Sequence, residues 1–185
     1  MSPYRGWPFL SNASHPFVSA VWAVLSHGCL ALFIVAPLLW RSRHRVVYGL
    51  IAFVGGSALD VDHFIEAGTL NLHRIETLPG GRPETHSVAF VLVLALLTFA
   101  LCPRSWDRTR RFVAAWAVFA VNMGHLLFDA AGGSEHILYP WNQVDGIPWL
   151  LCPIGALVLF GLSWVIARRS SRSSPQGPLL SVAVQ

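Results

Sequence analysis

Twenty-four consecutive residues, Phe17 to Trp40, carry no formal charge. About 20 apolar residues in a helix cross the hydrocarbon of a bilayer. The backbone of such a segment must satisfy its own polar groups, which favours a helix. Ser26-His27-Gly28 interrupts the run near its middle. Further apolar stretches follow: Val46 through an acidic end at about Glu66, His86 to Cys102, Phe112 to Ala131, and Ile147 to Ala167. With 54% hydrophobic and 12% charged residues over 185 positions, the chain is too apolar for an ordinary soluble domain. The expected fold class is all-α, a polytopic membrane helical bundle with about five transmembrane helices. Residues 1–16 form an N-terminal lead, 17–167 the transmembrane domain, and 168–185 a disordered cytoplasmic tail rich in Ser, Arg and Pro. The first run is too long for the apolar region of a signal peptide, so it is taken as a retained span.

All thirteen basic residues are Arg, and they gather between the apolar runs. Three follow the first span, four sit between the third and fourth, and three open the tail. The lead has one, the 67–85 loop two beside Glu76 and Glu84, and the loop after the fourth span none. Rich and poor segments alternate, which places the N-terminus outside and the tail in the cytoplasm of a bacterial inner membrane. Arginines distributed this way are a membrane-topology pattern, and a nucleic-acid partner is not expected. Cys29, Cys102 and Cys152 form no CxxC pair and read as small buried hydrophobes.

Polar residues inside such spans need a reason. His125 and Asp129 are four apart, so they stack on one helical face. A divalent metal would reward both, since it prefers a neutral imidazole and an ionised carboxylate. A hydrogen bond that merely orients a packed helix would do as well, and on this pair alone the two readings are balanced. Depth moves the balance. At about 1.5 Å per residue, His27, Asp60-Val61-Asp62-His63, His86, His125 and Asp129 all fall in the outer halves of their helices. Asp60 and His63 share one face, Asp62 and Glu66 another, so one carboxylate is expected to stand back from the metal. Taken singly, His27 is more often a helix-packing group and Thr85-His86-Ser87 a cap with a surface His, while Asp60 to His63 reads equally well as a solvated helix end. Thr85 is placed as the N-cap of the third span. His73 and His136 lie in loops. His15 and His44 fall outside the cluster.

These elements resemble the membrane-bound metal-dependent hydrolases of bacterial inner membranes, the LexA-regulated type. The matching elements are Asp60-Val61-Asp62-His63, Thr85-His86-Ser87, His125-Leu126-Leu127-Phe128-Asp129 and a closing Tyr139-Pro140-Trp141. Two departures stand out: Gly81 precedes Arg82 where that family usually carries His, and Pro83 replaces the Gly after the Arg. His73-Arg74 lies further upstream. The order His27, Asp60 or Asp62, His86, His125, Asp129, His136 is also similar to that of zinc-dependent phospholipase C and the fungal single-strand nucleases, which implies a phosphoester.

The expectation is a membrane-embedded metal-dependent hydrolase acting on an ester or phosphoester at the outer side, a membrane lipid being a suitable substrate. One to three divalent ions, zinc first and manganese or iron next, would be held by His27, Asp60, Asp62, His86, His125 and Asp129, with His63 or His136 as further ligands. Asp62 serves as general base, and Arg82, or Arg74, grips the anionic group bidentately. The alternative is a non-catalytic metal or proton transporter built from the same residues, which should continue its polar groups to the cytoplasmic face. Bis-His haem ligation is disfavoured by the acidic neighbours.

Overall fold

A computed structural model describes residues 16–40, 42, 44–71, 85–131 and 147–173. Those residues form six α-helices and one 3-10 turn, with no strand among them. Helix α1 (Pro16–Leu39) starts on a proline, whose missing N–H costs nothing at a first helical position. Helix α2 (Arg45–Gly55) gives way to a 3-10 turn, Ala58–Asp60, and then to α3 (Val61–Ala67). Helix α4 spans Val88–Leu101, α5 Arg108–Ala131 and α6 Leu151–Ser173.

Among the described residues, three helices are long and apolar enough to cross a membrane: Val21–Leu39, Arg108–Ala131 and Leu151–Ser171. The α2–α3 pair counts as a fourth if taken as one broken span. Helix α4, although apolar but for Thr98, has 14 residues and a length of about 21 Å. The sequence suggested one continuous helix from Val46 to Glu66. Instead the chain bends by 41° between α2 and α3. Gly55-Gly56-Ser57 is a poor helical stretch, and it falls where α2 meets α1. A Cβ on Gly56 would lie 2.7 Å from both the His27 carbonyl oxygen and the Ala31 Cβ, so only glycine allows that approach. The Ser57 hydroxyl then donates to the Val24 carbonyl at 3.1 Å.

Other boundaries also differ from the sequence reading. Ser87, not Thr85, caps α4, its hydroxyl accepting from the Phe90 N–H at 3.3 Å. The Thr85 hydroxyl donates to the Asp62 carboxylate. Helix α6 runs on to Ser173, six residues past the expected end at Ala167, so Arg168 and Arg169 are helical. Residues 174–185, the remainder of the expected tail, lie outside the described residues.

Helices α1, α5 and α6 pack on one another, with α2 laid against α1 and α4 against α5. Their common core contains Ile34, Val35, Ala120, Val121, Ala156 and Leu159. The alanines let backbones come close where lipid supplies no hydrophobic drive for helix association. Trp22, Leu50, Leu96, Leu157 and Val165 point outward, as lipid-facing residues do. A smaller core of Leu59, Val91, Leu126 and Ala130 supports the end of the bundle at which the His and Asp residues gather.

Because the cap residue Ser87 directly follows His86, replacing it affects more than helix stability. Ser87→Ala is expected to cost about 0.5–2 kcal/mol, measured by thermal unfolding in detergent. It should also loosen the placement of His86, seen as weaker metal retention.

Candidate metal centre

Each element delivers its polar side chains to one place. His27 lies about 16 Å along α1, and the 3-10 turn after the bend presents Asp60. Helix α3 carries Asp62 and His63, the residue before the α4 cap is His86, and the last two turns of α5 hold His125 and Asp129. His27, His86, His125 and Asp129 are all buried. The site lies at the end of the bundle opposite the α4–α5 arginines.

His125 has its tautomer fixed. Its Nδ1 lies 2.7 Å from the Gly56 carbonyl oxygen, which can only accept, so Nδ1 carries the proton. When neutral, the ring therefore directs an Nε2 lone pair inward. That atom stands 3.2 Å from His86 Nε2, 3.0 Å from Asp129 Oδ2 and 3.5 Å from Asp60 Oδ1. His86 Nε2 is in turn 3.9 Å from Asp60 Oδ1 and 3.7 Å from Asp129 Oδ2. Four donor atoms from three segments thus enclose a common point.

The spacing has a simple meaning. Four atoms bonded tetrahedrally to one ion at about 2.0–2.1 Å lie about 3.3 Å apart. The five separations given above, 3.0 to 3.9 Å, bracket that value. With the inward ring nitrogens unprotonated and no cation, lone pairs and carboxylate oxygens would face each other at repulsive distances in a buried site. The set Asp60, His86, His125 and Asp129 therefore fits a divalent metal. A second set, Asp62, His63 and His86, adjoins it. His86 links the two, with Nδ1 3.2 Å from Asp62 Oδ2.

His27 sits one layer out. Its Nε2 is 2.9 Å from Asp129 Oδ1 and its Nδ1 3.3 Å from Asp60 Oδ2, so it bridges the two carboxylates from behind. Both ring nitrogens are engaged there, and the ring lies 4.1 Å from that of His125, tilted by 36°. The sequence reading made His27 a direct ligand; here its ring nitrogens meet the Asp60 and Asp129 carboxylates, and it is not one of the four residues whose atoms face one another. Asp62, whose Oδ2 meets Thr85 and His86, has a buried Oδ1 with no hydrogen-bond partner among the described residues.

A model of the YdjM inner membrane protein family matches residues 21–184, nearly the whole chain and every residue of the centre just described. The chain belongs to the YdjM inner membrane protein family. With its several apolar helices, this YdjM-family chain is a multi-pass inner-membrane protein. No curated protein matches it, and no solved structure does.

Of the residues singled out from the sequence, the YdjM-family fold brings Asp60, Asp62, His63, His86, His125 and Asp129 together, with His27 behind them. His136 and Arg82, with His15, His73, Arg74 and Tyr139-Pro140-Trp141, lie outside the described residues. His44 stands apart, its ring against Tyr48 at the start of α2. Two contributors escaped sequence reading: the Gly56 carbonyl, which holds His125, and the Thr85 hydroxyl, which holds Asp62. A backbone oxygen leaves no trace in residue type. The Gly55-Gly56 pair was the available signal for the first, and adjacency to His86 for the second.

Proposed function

We propose that this protein is a membrane-embedded metal-dependent hydrolase of esters or phosphoesters, a lipid phosphoester being the favoured substrate. The observation that carries the reading is the convergence of Asp60, His86, His125 and Asp129 at spacings suited to one four-coordinate ion. Zinc suits a nitrogen and oxygen donor set without thiolate, manganese and iron next. The adjoining Asp62, His63 and His86 would take a second ion.

When bound, the metal supplies Lewis acidity and lowers the pKa of a bound water. The chain's own residues do the rest. Gly56 and His27 hold the ligands in register. Asp62 offers Oδ1 as the proton acceptor, while Thr85 fixes its other oxygen. From the sequence, Arg82 would grip the substrate's anion and His136 would close over the site. Taking α2–α3 and α4 as spans gives about five crossings, and the alternation of Arg-rich loops puts the site on the extracytoplasmic side, N-terminus outside. Beyond the site, the buried polar side chains among the described residues, Asn122, Ser163, Ser170 and Ser42, are all uncharged, which favours a site open at one end over a transport pathway.

The test is metal analysis of the purified full chain, followed by hydrolysis of a panel of phospholipids and of a bis-aryl phosphodiester. Stoichiometric zinc, manganese or iron with metal-dependent turnover is expected. A protein without metal, or metal without turnover on any ester, would overturn the enzyme reading. Because His27 supports ligands without joining them, His27→Ala should weaken metal binding about 10- to 100-fold and leave it measurable by competition with a chelator.

A further inference from the structure

Both donor sets run through one side chain. His86 turns Nε2 toward His125, Asp129 and Asp60, while its Nδ1 stands 3.2 Å from Asp62 Oδ2. The two nitrogens sit on different edges of the imidazole, so they serve different neighbours. Ions on both would lie about 6 Å apart, two metal–nitrogen bonds of about 2.0–2.1 Å with the ring between them. A clamp on a single phosphoryl group needs ions about 3.5–4 Å apart. The two positions are too distant to share a phosphoester in that way, so one of them meets it alone.

Ligand count and burial decide which. Asp60, His86, His125 and Asp129 supply four protein donors, the number that closes a tetrahedral site, and all but Asp60 are buried. Asp62, His63 and His86 supply three, the number that leaves a position for an outside group. Asp62 and His63 are half-buried. Both ride on α3, where Val61 and Ile65 are 56% and 76% exposed, so this helix lies at the surface of the bundle. Helix α5, which brings His125 and Asp129, has its last turns inside, with Leu126 and Ala130 fully covered. Thr85 donates to the same Asp62 oxygen that faces His86, which holds that carboxylate edge toward the ring.

Resting on the metal-dependent reading above, we propose that the two sets hold unequal ions joined by the His86 ring. One is closed, coordinated by the protein alone. The other, on Asp62, His63 and His86 Nδ1, is open, and there the anionic group of a phosphoester binds. A ring coordinated at both nitrogens carries no proton, so the Nδ1 proton leaves when the open ion is taken up.

The full chain, purified in detergent and loaded with cobalt(II), tests this by metal analysis and visible absorption. In the wild type two ions per chain are expected, released by a chelator in two separate steps. Inorganic phosphate should shift the spectrum of the two-ion form and leave that of the one-ion form unchanged. These readings need no variant. Asp62→Asn with His63→Gln should then lose one ion and the phosphate response. Because the ring is shared and the closed ion orients it, Asp129→Asn should lose both. Two ions released together would overturn the proposal, as would a single ion that survives Asp62→Asn with His63→Gln. So would a metal–metal distance of about 3.5–4 Å by X-ray absorption, the spacing of a phosphoryl clamp. A protein without metal would overturn this and the hydrolase reading together. Two-step release without turnover on any ester would end the enzyme reading alone and uphold the unequal pair.

Discussion

Asp129→Asn should leave the protein folded and without its metal. The substitution keeps shape and removes charge at a buried carboxylate that meets three histidines. One carboxylate oxygen is 2.9 Å from His27, and the other lies 3.0 Å from His125 and 3.7 Å from His86. An amide there turns half of the group from acceptor into donor, and its weak carbonyl cannot replace an ionised ligand. Losses from disturbing outer partners run about 10- to 100-fold, and loss of a ligand exceeds them. The expected outcome is metal below detection by elemental analysis, hydrolysis abolished, and helical content unchanged by circular dichroism. Full occupancy in Asp129→Asn would remove the centre as assigned. Comparison with His27→Ala is informative because the two should separate: one empties the site, the other weakens it.

Gly56→Ala is expected to have the second largest effect, although the change adds one methyl group. That methyl would meet backbone, the His27 carbonyl oxygen at 2.7 Å and the His27 carbonyl carbon at 3.1 Å, and also the Ala31 Cβ at 2.7 Å. None of these can swing aside, so α1 and the end of α2 must part. Overpacking of this kind costs about 1–3 kcal/mol. The displacement also carries the Gly56 carbonyl away from His125, so unfolding temperature and metal affinity should fall together. Gly55→Ala is the control, since its methyl would find only a Val121 methyl at 3.9 Å. It should keep both properties near wild type. Equal behaviour of the two variants would show that the close approach at Gly56 is not what positions the ring.

The helices and the residues of the His–Asp cluster were readable because they rest on local signals. Long uncharged runs give α1, α5 and α6 with small errors at the ends, and an intramembrane His or Asp declares itself by its cost. What failed to show was non-local. The bend after Gly55 depends on how closely α2 approaches α1, and hydropathy alone carried Val46 to Glu66 through as one helix. Thr85 and Ser87 are both good caps by type. The choice fell to Ser87 because Asp62, on another helix, takes the Thr85 hydroxyl. His27 matched a ligand in depth and chemistry. Its displacement to the outer layer follows from two carboxylates reaching its ring nitrogens first, which residue order does not encode.

Helix α4, at about 21 Å, falls some 9 Å short of a hydrocarbon layer of about 30 Å. Lipids bordering a short apolar segment compress or tilt to match it. The bilayer beside α4 should therefore be dimpled, bringing glycerol backbones and headgroup phosphates down toward His86. A lipid ester linkage would then approach the buried ligands by descending with its leaflet, with little need to leave the membrane.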